Sequence, residues 1–429
     1  MKSIQNESRR AYATLPRRIV LKFIAAMFLC ALVLIGCRKK VQAPGVEHLL
    51  GLENQPTIRV LLVNDVASCL FSTEASFTIT AVGSDSPQMR FDSNSKALKI
   101  EVIENKISFD GWSSSADSLQ IIPDANEIFI LNGRRYRGSV RIDIGSEKNT
   151  LDVINTVGIE PYLAGVIGAE MPSYWEPQAL EAQAIAARTY CLSIKNNFGD
   201  GRHWDVRRTA ANQVYQGVAG ESPAVWKAIE KTAGRVLVYV RSDGSEDIFP
   251  AYYSSTCAGH TENSKNVFGD EHRPLAGVKC EYCLSVAKKE YVDWPTVYMT
   301  KEQVNEKLIG RYPQLSKLGS IEKISVLSKS EYGNLTRLTW IKLEGKDGVS
   351  DTVRAEDFRL ALDPSGSKIK SAAFRIQTTG NGWAFADGKG FGHGVGMCQS
   401  GAQGLARKGQ STWQILSYYY PDSQIKKLY

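Results

Sequence analysis

From Thr57 onward, short runs rich in β-branched residues recur between Gly, Asp, Asn and Ser, at residues 58–63, 76–81, 97–102, 119–122 and 127–131. Apolar runs of this length bounded by turn formers predict strands, so residues 56–130 are expected to form a strand-rich front domain. Arg134-Arg135-Tyr136-Arg137-Gly138-Ser139 then leads into two more strand-like runs, 140–144 and 150–157. The period changes after Pro161. Leu180, Ala184, Ala187 and Cys191 recur at helical spacing behind Pro177, a residue suited to a first turn. The apolar face of this helix is mostly alanine, which lets neighbours approach closely and predicts a central position. Ser222 as cap, Pro223 and Gly234 bracket a second helix over 224–232, with strands expected over 235–240 and 248–254. Further on, the pattern predicts helices at 301–308, 356–360, 400–408 and 412–419 and strands at 321–328 and 335–343, with no internal repeat. The fold class expected is α+β: the strand-rich front, then a mixed α+β region over 131–429 in which 286–372 forms an inserted or accessory subdomain.

Composition agrees with a folded chain, at 43% hydrophobic and 23% charged over 429 residues. The formal charge of +7 raises the question of nucleic acid, but the first 36 residues hold six Lys/Arg against one Glu. Only about +2 remains for the rest, too little for a phosphate-binding footprint, and nucleic acid is set aside as a partner. Residues 1–36 have the form of an export signal. A basic front (Arg9, Arg10, Arg17, Arg18, Lys22) precedes an apolar stretch, Phe23 to Ile35, that is short for a bilayer of roughly 30 Å. Leu34-Ile35-Gly36-Cys37 resembles a bacterial lipobox, so Cys37 is the expected lipidation site. Residues 37–55 then form a tether, and the chain is expected to work in the cell envelope, outside the cytoplasmic membrane.

Two sets of residues carry candidate chemistry. Glu170 is a lone carboxylate after the apolar, strand-like run Tyr162 to Ile167, and Met171, Pro172, Tyr174 and Trp175 follow it. If those side chains surround it, desolvation disfavours its charged form, and a protonated carboxylic acid is what glycosidic-bond cleavage requires of its acid. A glutamate that merely caps or pairs near a helix start fits the same composition. Cys257-x-x-His260 and Cys280-x-x-Cys283 form two ligand pairs that would close a tetrahedral structural zinc site. The competing reading is a disulfide, Cys280 with Cys283 or Cys257 with Cys280. Cys69, Cys191 and Cys398 are scattered and expected to be small buried apolar residues.

The segment from Glu160 to Leu192, then Gln213-Val214-Tyr215-Gln216-Gly217, then Tyr252 to Thr256 with Gly259-His260-Thr261-Glu262-Asn263, and finally Gly390 to Ala402, resemble in order and content the SpoIID/LytB family. Ile415-Leu416 and Tyr418 to Pro421 resemble its C-terminal signature. The resemblance covers about residues 130–429 and implies a lytic transglycosylase. Such an enzyme cleaves MurNAc-GlcNAc bonds of peptide-stripped peptidoglycan, leaves 1,6-anhydro ends, and has its catalytic glutamate at Glu170. It equally permits a non-catalytic peptidoglycan-binding protein or amidase enhancer of the LytB type, with a cell-wall amidase as partner. Substrate-binding candidates are Arg188, Gln213, Tyr215, His393 and Gln399. Arg188 falls about five helical turns beyond Glu170 on what is expected to be the same element, where it could meet substrate or a neighbouring carboxylate. Gln213 and Tyr215 are suited to polyols or to satisfying backbone groups. His393 lies among Gly390, Gly392, Gly394 and Gly396, in position to orient substrate or to make a structural hydrogen bond. The Gly-His-Thr-Glu-Asn run offers His260 a second place, near the sugar groove. Cys398 stands where the family usually has serine, which argues against a nucleophilic role there.

Overall fold

The computed structural model describes residues 54–429 apart from 85–86, 94–95 and 125–127. The expected signal, Cys37 and all but the end of the tether lie outside the described residues. No helix among the described residues is long and apolar enough to cross a membrane.

The fold is α+β. Seven strands make the first sheet, in the order Val206–Arg207, Thr57–Val66, Leu151–Gly158, Ser139–Ile144, Ser118–Pro123, Phe77–Ala81, Pro87–Phe91. All pairings are antiparallel except that of Val60 with Val206. A second, antiparallel sheet runs Arg134–Tyr136, Phe129–Leu131, Ser68–Thr73, Leu98–Ile103, Lys106–Phe109, Trp112–Ser114. The sheets share a core, in which Phe71 of the second meets Phe77 of the first edge-on at 5.3 Å. Strands from both sides of residue 130 are neighbours in the first sheet, so the strand-rich front continues to Gly158. Three strands absent from the sequence reading follow two-residue turns. Glu104-Asn105, Asp110-Gly111 and Asn132-Gly133 all take positive φ, the geometry that matches the twist of a hairpin.

The run before Glu170 is helical, not strand-like: one helix spans Ile159–Glu170 and a second Pro177–Phe198. Met171 is extended between them, as expected of a residue preceding proline. Arg188 therefore belongs to a different element from Glu170. The second helix is central, as its alanines predict: Ala179, Ala182, Ala184, Ala186 and Ala187 are fully buried. It packs on the helices Ile159–Glu170, Pro223–Thr232, Gln399–Arg407 and Thr412–Tyr419 and on the strand Arg235–Val240. The strand expected over 248–254 shrinks to Tyr253–Ser254, which pairs in parallel with Met397–Cys398. A further core gathers Val304, Leu308, Ile341, Phe358, Trp383 and Phe385, so the packing of the accessory region reaches beyond residue 372.

The first helix is fixed from two sides. Gly168 lies where any side chain would meet the Gly220 carbonyl at 1.9 Å, and a side chain at Gly165 would meet Tyr215 at 2.5 Å and the Gly217 carbonyl at 2.9 Å. Near its other end Glu160 is fully buried with Arg188, whose Nε and Nη2 donate to the two carboxylate oxygens at 3.0 and 2.6 Å. The Gly234 amide (3.1 Å) and the Tyr429 hydroxyl (2.5 Å) also donate to Glu160, and Arg188 Nη1 donates to the Arg235 carbonyl at 3.0 Å. Of the two roles open to Arg188, pairing with a carboxylate is the one it performs. Removing one partner strands a buried charge. Arg188→Met is therefore expected to cost about 3–5 kcal/mol in urea unfolding, partly restored by adding Glu160→Gln. Normal stability with lost glycan affinity would instead return Arg188 to the substrate.

Candidate functional site

Glu170 is the last residue of its helix and is half-buried. Its Oε1 accepts the Val214 amide at 3.0 Å, and the Gln399 side-chain amide approaches Oε2 at 3.5 Å. Burial pushes its pKa above the ordinary glutamate value, and those two donors only partly offset the effect. Among the described residues, no cation is among the groups acting on it. Its position adds to the burden, because the C-terminal end of a helix carries partial negative charge and disfavours a carboxylate. The aromatic enclosure expected from the sequence is only partial. Met171 is buried, but Tyr174 is 83% exposed. Burial raises the pKa values of Tyr190 and Tyr253, and the charge of the nearby Glu170 adds to the effect.

The other candidates divide. Gln399, the first residue of the helix Gln399–Arg407, reaches Glu170. Gln213 does not face solvent. It is buried, accepting from the Tyr162 hydroxyl at 3.0 Å and donating to the Ala187 carbonyl at 3.2 Å and the Tyr253 hydroxyl at 2.8 Å. Tyr215 is likewise buried and donates to Asn155 at 3.0 Å. Both side chains are engaged inside the fold, on either side of the Val214 amide that donates to Glu170. His393 accepts from the Val395 amide at 3.0 Å on Nδ1, so its Nε2–H donates to the Tyr253 carbonyl at 2.9 Å. Burial lowers its pKa to about 4, and as a neutral ring with both nitrogens engaged it braces the glycine loop against the Tyr253 strand.

The cysteines assemble differently from the expected set. Cys257, Cys280, Cys283 and Cys398 are all buried, with sulfurs within 4.8 Å of one another, and each is free of disulfide bonds. These four side chains could hold a metal ion. His260 is excluded from the group: its ring stacks on Tyr332 at a centroid distance of 3.8 Å, and Nδ1 lies 2.6 Å from the Thr261 carbonyl. The parallel pairing of Tyr253–Ser254 with Met397–Cys398 delivers the fourth thiol, a long-range contact that no local spacing encodes. Backbone groups already address the sulfurs, since the Cys257 amide lies 3.3 Å from Cys398 Sγ. A tetrahedron of thiolates about 2.3 Å from zinc has edges of roughly 3.8 Å, and Cys257 and Cys283 are 3.8 Å apart.

Arg337 escaped the sequence reading. It comes from the accessory strand Leu335–Gly345, is buried, and donates to the carbonyls of Cys257 (3.1 Å) and His260 (3.4 Å). It also faces the buried Glu262 carboxylate at 3.7 Å. Glu262 accepts from Asn266, Ser330 and Tyr332, so the accessory hairpin and the Gly-His-Thr-Glu-Asn loop are locked together.

The Stage II sporulation protein family, SpoIID, matches residues 147–239, and a domain of unknown function, DUF8618, matches residues 286–396. An uncharacterized protein of Brachyspira hyodysenteriae is 32% identical over 321 residues, 75% of this chain and 80% of its own length. The Bacillus subtilis amidase enhancer is 27% identical across 76% of this chain, which spans 49% of the enhancer. Stage II sporulation protein D of Bacillus subtilis is 28% identical across 64% of this chain and 76% of that protein. The likeness takes in the helix that ends in Glu170, and with a relative 32% identical over most of its length the chain belongs to the SpoIID/LytB family, a family tied to peptidoglycan.

Proposed function

We propose that the protein is a lytic transglycosylase of the cell envelope, acting on peptide-stripped glycan strands with Glu170 as its single acid/base. The observation that carries this reading is a half-buried carboxyl group with a raised pKa, two N–H donors and, among the described residues, no cation acting on it. As an acid, Glu170 gives its proton to the oxygen between MurNAc and GlcNAc, and the C1–O bond breaks. The resulting carboxylate takes the proton of the sugar's own 6-hydroxyl while that oxygen bonds to C1, closing the 1,6-anhydro ring and regenerating the acid. No second carboxylate is needed, because no water is activated. Gln399 steadies Glu170 from the start of its helix. The Val214 amide, held by Gln213 and Tyr215, keeps the carboxyl from swinging away. Cys37, if lipidated, would hold the chain at the membrane surface, beside the wall.

Glu170→Gln should lower the yield of anhydro-ended fragments from peptide-free glycan by about 10²- to 10⁴-fold at unchanged stability. Equal turnover by the variant would remove Glu170 as the acid, and a wild type that releases no anhydro-ended fragments would leave the second reading, a non-catalytic amidase enhancer, which the likeness to such a protein favours. The pH profile gives an independent check. Because the acid must be protonated and its pKa is raised, kcat/KM should fall as pH rises, with a midpoint above that of an ordinary glutamate. A profile flat across that range would remove Glu170 as the acid.

Zinc at Cys257, Cys280, Cys283 and Cys398 belongs to the same proposal. Four thiolates leave no open position, so the ion would serve as a structural crosslink and take no part in bond breaking. Elemental analysis should find one zinc per chain, retained in His260→Ala and lost or weakened in Cys398→Ser. A mass spectrum showing paired cysteines in a metal-free protein would decide for disulfides.

A further inference from the structure

Residues 293–296, 334, 336, 373–375 and 387–389 enclose a cavity of about 560 Å³ in the accessory region, built without any residue of the Glu170 site. Its walls carry two opposed charge pairs. Asp293 and Lys389 join across adjacent strands at 2.9 Å, and Arg375 pairs with Asp387. Each of these four side chains is between 42% and 68% exposed, so all can exchange partners with a ligand. Thr296, Asn334 and Thr336 add uncharged hydrogen-bonding groups. Trp294, also in the wall, is 4% exposed and belongs to the packed core behind the cavity.

These features select among ligand classes. Two carboxylates repel a polyanion and two cations repel a polycation. A sugar would want an open aromatic face, but Trp294 is covered by Gly388, which lies where a Cβ would touch the indole, and Phe374 is 3% exposed. A short peptide bearing both ammonium and carboxylate groups satisfies both charge pairs at once, its carboxylate on Arg375 or Lys389 and its ammonium on Asp293 or Asp387. We propose that this pocket binds the zwitterionic peptides that decorate peptidoglycan. The proposal rests on the peptidoglycan reading of the chain but not on catalysis by Glu170. Gly388 and Lys389 run directly into the loop Gly390 to Gly396, the segment that leads on to Gln399.

The test is calorimetric titration of the full chain in detergent with the tetrapeptide L-Ala-γ-D-Glu-diaminopimelate-D-Ala. Parallel titrations use the same peptide with its charges blocked and a peptide-free glycan tetrasaccharide. Wild type and Glu170→Gln should bind the free tetrapeptide alike. The double variant Asp293→Asn/Arg375→Gln and the blocked peptide should each weaken binding by about tenfold or more. The double variant should keep wild-type circular dichroism and cleavage of stripped glycan, because exposed ion pairs add little to stability. Failure of the wild type to saturate at millimolar peptide, or unaltered binding by the double variant, overturns the proposal. Competition by the tetrasaccharide would assign the pocket to sugar and overturn it as well. Since binding is the readout, loss of peptide binding and loss of cleavage are separate results.

Discussion

One helix, Ile159–Glu170, carries the arrangement, and the buried pair of Glu160 with Arg188 is what pins it. Two charges without solvent are tolerated only when every remaining donor and acceptor finds a partner. Here the partners come from Gly234, Arg235 and Tyr429, so one ion pair gathers segments distant in sequence around the start of the helix. The glycine contacts of Gly165 and Gly168 with the Gly217–Gly220 turn then set its distance from the segment that supplies the Val214 amide. With both constraints in place the last residue of the helix has little freedom.

The same helix presents two glutamates in opposite circumstances. Glu160 sits in the first turn, where the helix dipole favours negative charge, and has a guanidinium facing it. Glu170 sits at the other end, where the dipole opposes charge, with amide donors only. Carboxyl groups so differently placed are suited to different work, the first to holding the fold and the second to passing a proton. The contrast bears on the choice between the two glutamates as the acid: a fully buried carboxyl group engaged by an arginine, a backbone amide and a tyrosine has no route to a sugar.

The sequence made legible whatever depends on local pattern. Alternation and turn formers gave most of the front strands, and alanine spacing gave the central helix. The strands Lys106–Phe109, Trp112–Ser114 and Arg134–Tyr136 were missed although Asp110-Gly111 and Asn132-Gly133 announce hairpins, because the runs are too short for their alternation to show. Tyr162 to Ile167 was mistaken for strand because a helix buried on nearly all sides loses its polar face, and periodicity then cannot separate it from a buried strand. Motif spacing identified three of the four clustered cysteines. It chose His260 as the fourth ligand because Cys-x-x-His is local, whereas Cys398 arrives by strand pairing from 141 residues away. Gln213 and Tyr215 illustrate a related limit, since an amide and a phenol suit sugar contact and internal hydrogen bonding equally, and only burial distinguishes them.

The thiol cluster and the glutamate are coupled through a single peptide step. Cys398 caps the helix whose first residue is Gln399, and Gln399 is one of the two donors to Glu170. Any displacement of Cys398 is carried to that amide, which already lies at the long limit of a hydrogen bond. The cluster also gathers Cys257 and the turn at Cys280 to Cys283 around the same point, while Arg337 reaches from the accessory region to the Cys257 carbonyl. The start of the helix that carries Gln399 is thus held by groups from three separate parts of the chain. A crosslink at the thiols would bear on the proposed chemistry without touching a substrate, because it would fix the partner that limits where the carboxyl can point.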